Sequence, residues 1–160
     1  MHQTGRRAVA QGRPGSLAPL GAWLSEAYLL AGRLDEAPQR AAQAVELAHQ
    51  YQCRGTRAWA LWLLGESTAR QASPEGEAAA TYYRQALALA EDLGMRPLQA
   101  HCHRGLGTLY ARQDQQEQAR TALSTAIALY RSMDMRFWLP QAEAALREVG
   151  GTGWLENHMD

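Results

Sequence analysis

In the segment GLGTLYARQDQQEQARTALSTAIALY, apolar and small residues recur at helical spacing, first as Leu106, Gly107 and Tyr110 and then as Ala119, Leu123 and Ala126. Residues at i, i+3 and i+4 share one face of a helix, so the pattern predicts two helices joined by a turn at Gln113-Asp114-Gln115. The small Gly107 and Ala119 allow the two helices to approach closely, while Tyr110 and Leu123 fill the space beside that contact. The prediction is an αα-hairpin.

The pattern repeats. Leu64-Gly65 and Leu106-Gly107 lie 42 residues apart in similar alanine- and arginine-rich surroundings, and the stretches 23–48, 59–93 and 101–133 align as three copies of one unit. The first copy carries Leu24, Ser25 and Tyr28, then Ala37, Ala41 and Ala44. The second carries Leu64, Gly65 and Thr68, then Ala79, Tyr83 and Ala86 after a two-residue insertion at the turn. Periods of this length mean stacked helical hairpins, which usually present surfaces in place of catalytic centres.

Punctuation residues set the boundaries. Asp35 is placed to cap the second helix of the first copy with Pro38 in its first turn, and Ser73-Pro74 is placed to open the second helix of the next. Gly94 suits a helix C′ position and Pro97 a helix start. Met135-Arg136 repeats Met95-Arg96 at a spacing of 40, and the half-repeat that follows it lacks a second helix. It reads as a cap over the end of the array, stopped by Gly150-Gly151-Thr152-Gly153. The expected fold is therefore an all-α αα-hairpin solenoid of three helix-turn-helix repeats with a C-terminal capping helix. It spans residues 17–149, between a disordered segment at 1–16 and a flexible tail at 150–160.

Composition narrows the function. One Ile and one Phe among abundant Ala and Leu argue against strands. Sixteen basic residues balance sixteen acidic ones, so the electrostatic footprint of nucleic-acid binding is missing. All sixteen cations are Arg, which excludes a phosphate-loop lysine, a Schiff base and any lysine nucleophile. Cys53 and Cys102 show no pairing pattern and fit a reducing compartment. No apolar run is long enough to span a bilayer or to form a secretory signal, so the expectation is a cytoplasmic protein without membrane contact.

The residues Leu106, Gly107, Tyr110, Ala119, Leu123 and Ala126 resemble the tetratricopeptide repeat. Longer strings, AWLSEAYLLAGRLDEA, TYYRQALALAEDLGMRPLQAHCHRGLGTLYAR and YRSMDMRFWLPQAEAAL, resemble the C-terminal helical region of bacterial signalling proteins. Those proteins join a class III adenylate/guanylate cyclase or a transcriptional-regulator domain to an NTPase and a tetratricopeptide array. The resemblance implies a right-handed superhelix whose concave groove binds a peptide or partner helix. In that register the groove face carries Glu26 from the first copy, Trp59, Trp62, Glu66 and Arg70 from the second, and His101, Arg104, Thr108 and Arg112 from the third. It equally allows a regulatory arm or fragment of such a signalling protein, packing on its own catalytic domains.

Catalytic chemistry is not legible. His101-Cys102-His103 has metal-ligand residue types, but adjacent helical residues point about 100° apart and do not converge on one ion. Glu91-Asp92 and Asp35-Glu36 are adjacent carboxylates at helix ends, which makes no acid/base pair. No serine sits in a nucleophile elbow. The expectation is a non-catalytic module with no metal and no cofactor, binding a protein or peptide partner, as a monomer or weak homodimer.

Overall fold

A computed structural model describes residue 27, residues 36–70 and residues 76–158; Leu24, Ser25, Glu26, Tyr28, Asp35 and Ser73-Pro74 lie outside these. The helices are α1 (Ala37–Gln50), α2 (Arg54–Arg70), α3 (Gly76–Asp92), α4 (Arg96–Arg112), α5 (Gln116–Ser132) and α6 (Leu139–His158). Among the described residues there is no strand. The chain divides into two compact units, Met1–Leu89 and Ala90–Asp160, with the boundary in the last turn of α3.

Helices α1, α3, α4 and α5 end alike. Gln52, Gly94, Asp114 and Asp134 all take a left-handed backbone, with φ between 54° and 68°. After each, the next amide donates back to a carbonyl of the last helical turn: Cys53 N to Ala48 O at 2.8 Å, Met95 N to Ala90 O at 2.8 Å, Gln115 N to Tyr110 O at 2.9 Å and Met135 N to Tyr130 O at 3.0 Å. These are Schellman closures, which satisfy carbonyls the helix itself leaves unpaired. Gly94 adopts this conformation at no steric cost, whereas the two aspartates and Gln52 carry a Cβ through it. Three such turns, at 94, 114 and 134, are spaced by 20 residues, the length of one 17-residue helix and its turn.

In the first unit, α1 packs on α2 through Ala37, Ala41, Ala44 and Ala48, all buried and all on one face. Alanines there leave only Cβ atoms between the helix backbones, so the approach is close. Helix α2 is buried nearly all round: Ala58, Ala60 to Gly65 and Ser67 are all interior. Ser67 satisfies its buried hydroxyl by donating to Leu63 O and Leu64 O, at 2.9 and 3.1 Å. Thr68, which stands where the third copy has Tyr110, donates to Leu64 O at 2.6 Å. From α3, Ala79, Tyr83 and Ala86 are buried. A Cβ on Gly65 would lie 2.9 Å from Tyr83 Cδ1, so glycine is what lets the ring lie on α2.

The second unit repeats the arrangement. A Cβ on Gly107 would lie 2.6 Å from Leu123 Cγ and 3.2 Å from Leu123 N, with Leu106, Ala119 and Ala126 buried around the crossing. The far end of this hairpin is tied by Arg96, whose Nη2 donates to Ser132 Oγ at 2.7 Å. Helix α6 then covers α5: Ala142 joins Ala100, Ala126, Ile127 and Tyr130 in one cluster, and Val149 joins Ala119 and Leu123 in another.

Two boundaries differ from expectation. Helix α1 has Glu36 at its N-cap with no side-chain cap hydrogen bond, and Pro38 in its first turn supplies the helical φ. Helix α6 runs through Gly150-Gly151-Thr152-Gly153 to His158 instead of stopping there. Gly150 has no positive φ, the conformation by which a glycine ends a helix. A helical glycine then only weakens the helix, by about 1 kcal/mol relative to Ala.

The overlap at Gly107 gives a direct test. Gly107→Ala gains helix propensity worth about 1 kcal/mol, but overpacking against Leu123 costs about 1–3 kcal/mol. The variant is expected to unfold at lower urea than wild type, whereas Gly55→Ala, whose Cβ would meet nothing within 4 Å, is expected not to lower the midpoint.

Candidate functional site

The face assigned to a partner maps differently in the two units. In the first, Trp59 and Trp62 stack edge-to-face, with ring centroids 5.8 Å apart and planes at 86°. Their surroundings diverge: Trp59 is 36% exposed, whereas Trp62 is interior. One turn on, half-buried Glu66 accepts a hydrogen bond from Tyr83 Oη at 2.8 Å, so its carboxylate serves the α2–α3 crossing. Arg70 is exposed at the end of α2.

In the second unit, His101 is only 4% exposed. Its Nδ1 shares a 2.6 Å hydrogen bond with the hydroxyl of fully buried Tyr130 on α5. The imidazole also meets the Trp138 ring edge-to-face, centroids 4.8 Å apart, and the Arg104 guanidinium sits 4.6 Å from the centroid of that indole. Trp138, from the turn before α6, thus covers the α4 face at His101 and Arg104 with the chain's own side chain. Arg104 is half-buried; Thr108 and Arg112, one and two turns further, are exposed.

Burial, and secondarily the Arg104 charge, lower the His101 pKa from 6.5 to about 4. Burial also lowers that of His103, partly offset by Glu91. His101 therefore acts as a neutral hydrogen-bonding group in the interior. Among the described residues, no group of three or more His, Cys, Asp or Glu could hold a metal ion. Cys102 is buried and Cys53 half-buried, and neither is in a disulfide.

Thr108 and Arg112 instead line a cleft of about 450 Å³ in the second unit. Its apolar floor is Ala111, Leu123, Ala145 and Val149, and its rim adds Asp114, Gln116 and Glu148. Such a mixture, an apolar base with convergent polar groups, suits recognition of a side chain. The α6 contribution was missed in the sequence because the capping half-repeat was read only as a cover.

Phe137 was missed as well. It is 72% exposed and stacks edge-to-face on Trp138 at 5.0 Å, the most exposed of the large hydrophobic residues described. The Met95/Met135 spacing of 40 was the available signal, because it aligns Trp138 with fully buried Leu98 and leaves Phe137 beside it on an outer position.

No protein-family model matches the chain, and no curated protein matches its sequence. No helix among the described residues is long and apolar enough to cross a membrane.

His101 makes the fold acid-sensitive. Above pH 6.5 it is neutral in both folded and unfolded chains; below that, the unfolded chain takes up a proton that the folded chain refuses until about pH 4. Stability is thus present above pH 6.5 and is lost as the pH falls towards 4, by roughly 1.5 kcal/mol between pH 6.5 and 5. Urea midpoints at the two pH values should show this drop in wild type and a smaller one in His101→Gln. An equal drop in both proteins would assign the acid sensitivity elsewhere.

Proposed function

We propose that this chain is a non-catalytic protein-interaction module built from tetratricopeptide-like hairpins stacked as a solenoid, which binds an extended peptide or a partner helix. The cleft walled by Thr108 and Arg112 carries this reading. Arginine is enriched at interface hot spots and its fork binds carboxylates bidentately, while an apolar floor of Ala, Leu and Val takes a hydrophobic side chain. The recurrence of one hairpin with one glycine contact also favours a scaffold, since repeat architectures present preformed surfaces. A partner with an apolar anchor next to an acidic residue fits this chemistry best.

The proposal places the interaction on the cleft side of α4. Trp138 fills the neighbouring stretch of that face, so the partner's anchor is expected at Thr108 and Arg112 and not at His101.

A displayed library of extended peptides, selected on immobilised protein, tests this. Attachment by a terminal tag is suitable because the chain has no lysine for amine coupling. Peptides enriched on wild type should bind Arg112→Ala about tenfold more weakly, the loss of a charge-assisted hydrogen bond, and should not bind Ala145→Arg, which fills the floor. Circular dichroism would verify that both variants are folded. Equal binding by wild type and both folded variants would place recognition on another face.

A further inference from the structure

A second cleft lies in the first unit, where α1 turns into α2. It measures about 430 Å³ and is lined by Ala48, His49, Gln50, Gln52, Arg54 and Arg57. Its walls hold two arginines, a histidine and two glutamines, with no carboxylate.

Arg57 is the unusual member. It is half-buried on α2, its Nε is sealed from solvent, and that Nε has no hydrogen-bond partner. Among the described residues no acidic side chain pairs with its guanidinium. A buried N–H without an acceptor costs about 1–3 kcal/mol, more when the group is charged. A cation is normally withdrawn from water only where a counter-charge meets it. The turn around it is well satisfied otherwise: Cys53 O accepts from Arg57 N at 2.9 Å, and Cys53 N closes on Ala48 O. The sealed stem holds the guanidinium in one place, which reduces the entropy lost when the remaining nitrogens bind a ligand.

We propose that this cleft is an oxyanion site, in which the terminal guanidinium nitrogens of Arg57, with Arg54 and His49 at the wall, bind a phosphate or carboxylate group. Both groups present oxygens that match the arginine fork. The site is independent of the peptide cleft of the second unit, so either can fail without the other.

Side-chain Nε–Hε resonances of 15N-labelled protein provide the test, with the Arg57 signal assigned by its absence in Arg57→Met. Sodium phosphate and sodium acetate would be titrated separately at pH 7 against sodium chloride of equal ionic strength, with exposed Arg120 as internal reference. A saturable Arg57 shift with phosphate, acetate or both supports the site and shows which oxyanion it takes. In folded Arg57→Met, the backbone-amide shifts of Gln52 and Arg54 with that anion should be at least about tenfold weaker in affinity, the loss of a charge-assisted contact. Shifts that are linear with both anions, or that match those of Arg120, would overturn the proposal. So would unchanged backbone affinity in Arg57→Met.

Discussion

The distance between paired helices is set by one missing atom. At Gly65 and Gly107 a Cβ would fall within 3 Å of Tyr83 and Leu123, so each hairpin closes on a side chain laid directly over glycine backbone. Closely packed interiors leave little room to absorb such an overlap. The alanines around each crossing follow from the same constraint, because larger residues at Ala79 and Ala86, or at Ala119 and Ala126, would separate the helices that the glycine brings together. With Ala and Leu supplying most of the aliphatic core, stability depends on short distances as much as on side-chain size.

The Schellman turns extend that local rule along the chain. Four closures of this kind occur along the chain, and the later three recur at a spacing of 20 residues. In the second unit this order delivers Tyr130 to His101 and, after one more turn, Trp138 onto both His101 and Arg104. An interior histidine, an indole and a guanidinium thereby become a single stacked group. The acid sensitivity of the fold and the position of the open cleft have this common origin: Trp138 closes one stretch of the α4 face and leaves Thr108 and Arg112 uncovered.

Much of the hairpin architecture was legible because it rests on local signals. The Leu-Gly pair, the two-residue insertion that shifts Tyr83 relative to Leu123, the turn at Gln113-Asp114-Gln115 and the C′ role of Gly94 are all written within a few residues of where they act. The site was less legible because register assigns a face without saying what covers it. Trp62 and His101 share the periodicity of Arg70 and Arg112, yet burial separates them, and at His101 that burial comes from Tyr130 and Trp138 at distant positions. Gly150-Gly151-Thr152-Gly153 misled for a related reason: glycine ends a helix through a positive φ, which composition does not specify. Arg57 gave no sequence signal, since a cation with no carboxylate partner among the described residues is recognised only in the folded chain.

A double-mutant cycle between Gly107 and Leu123 measures the governing contact most directly. If the clash with the leucine side chain dictates glycine, Gly107→Ala will destabilise the wild-type background but cost little, or even stabilise, in a Leu123→Ala background, with a coupling of about 1–3 kcal/mol between the two sites. Equal costs in both backgrounds would contradict the account. They would mean that the helix spacing is set by something other than the missing Cβ.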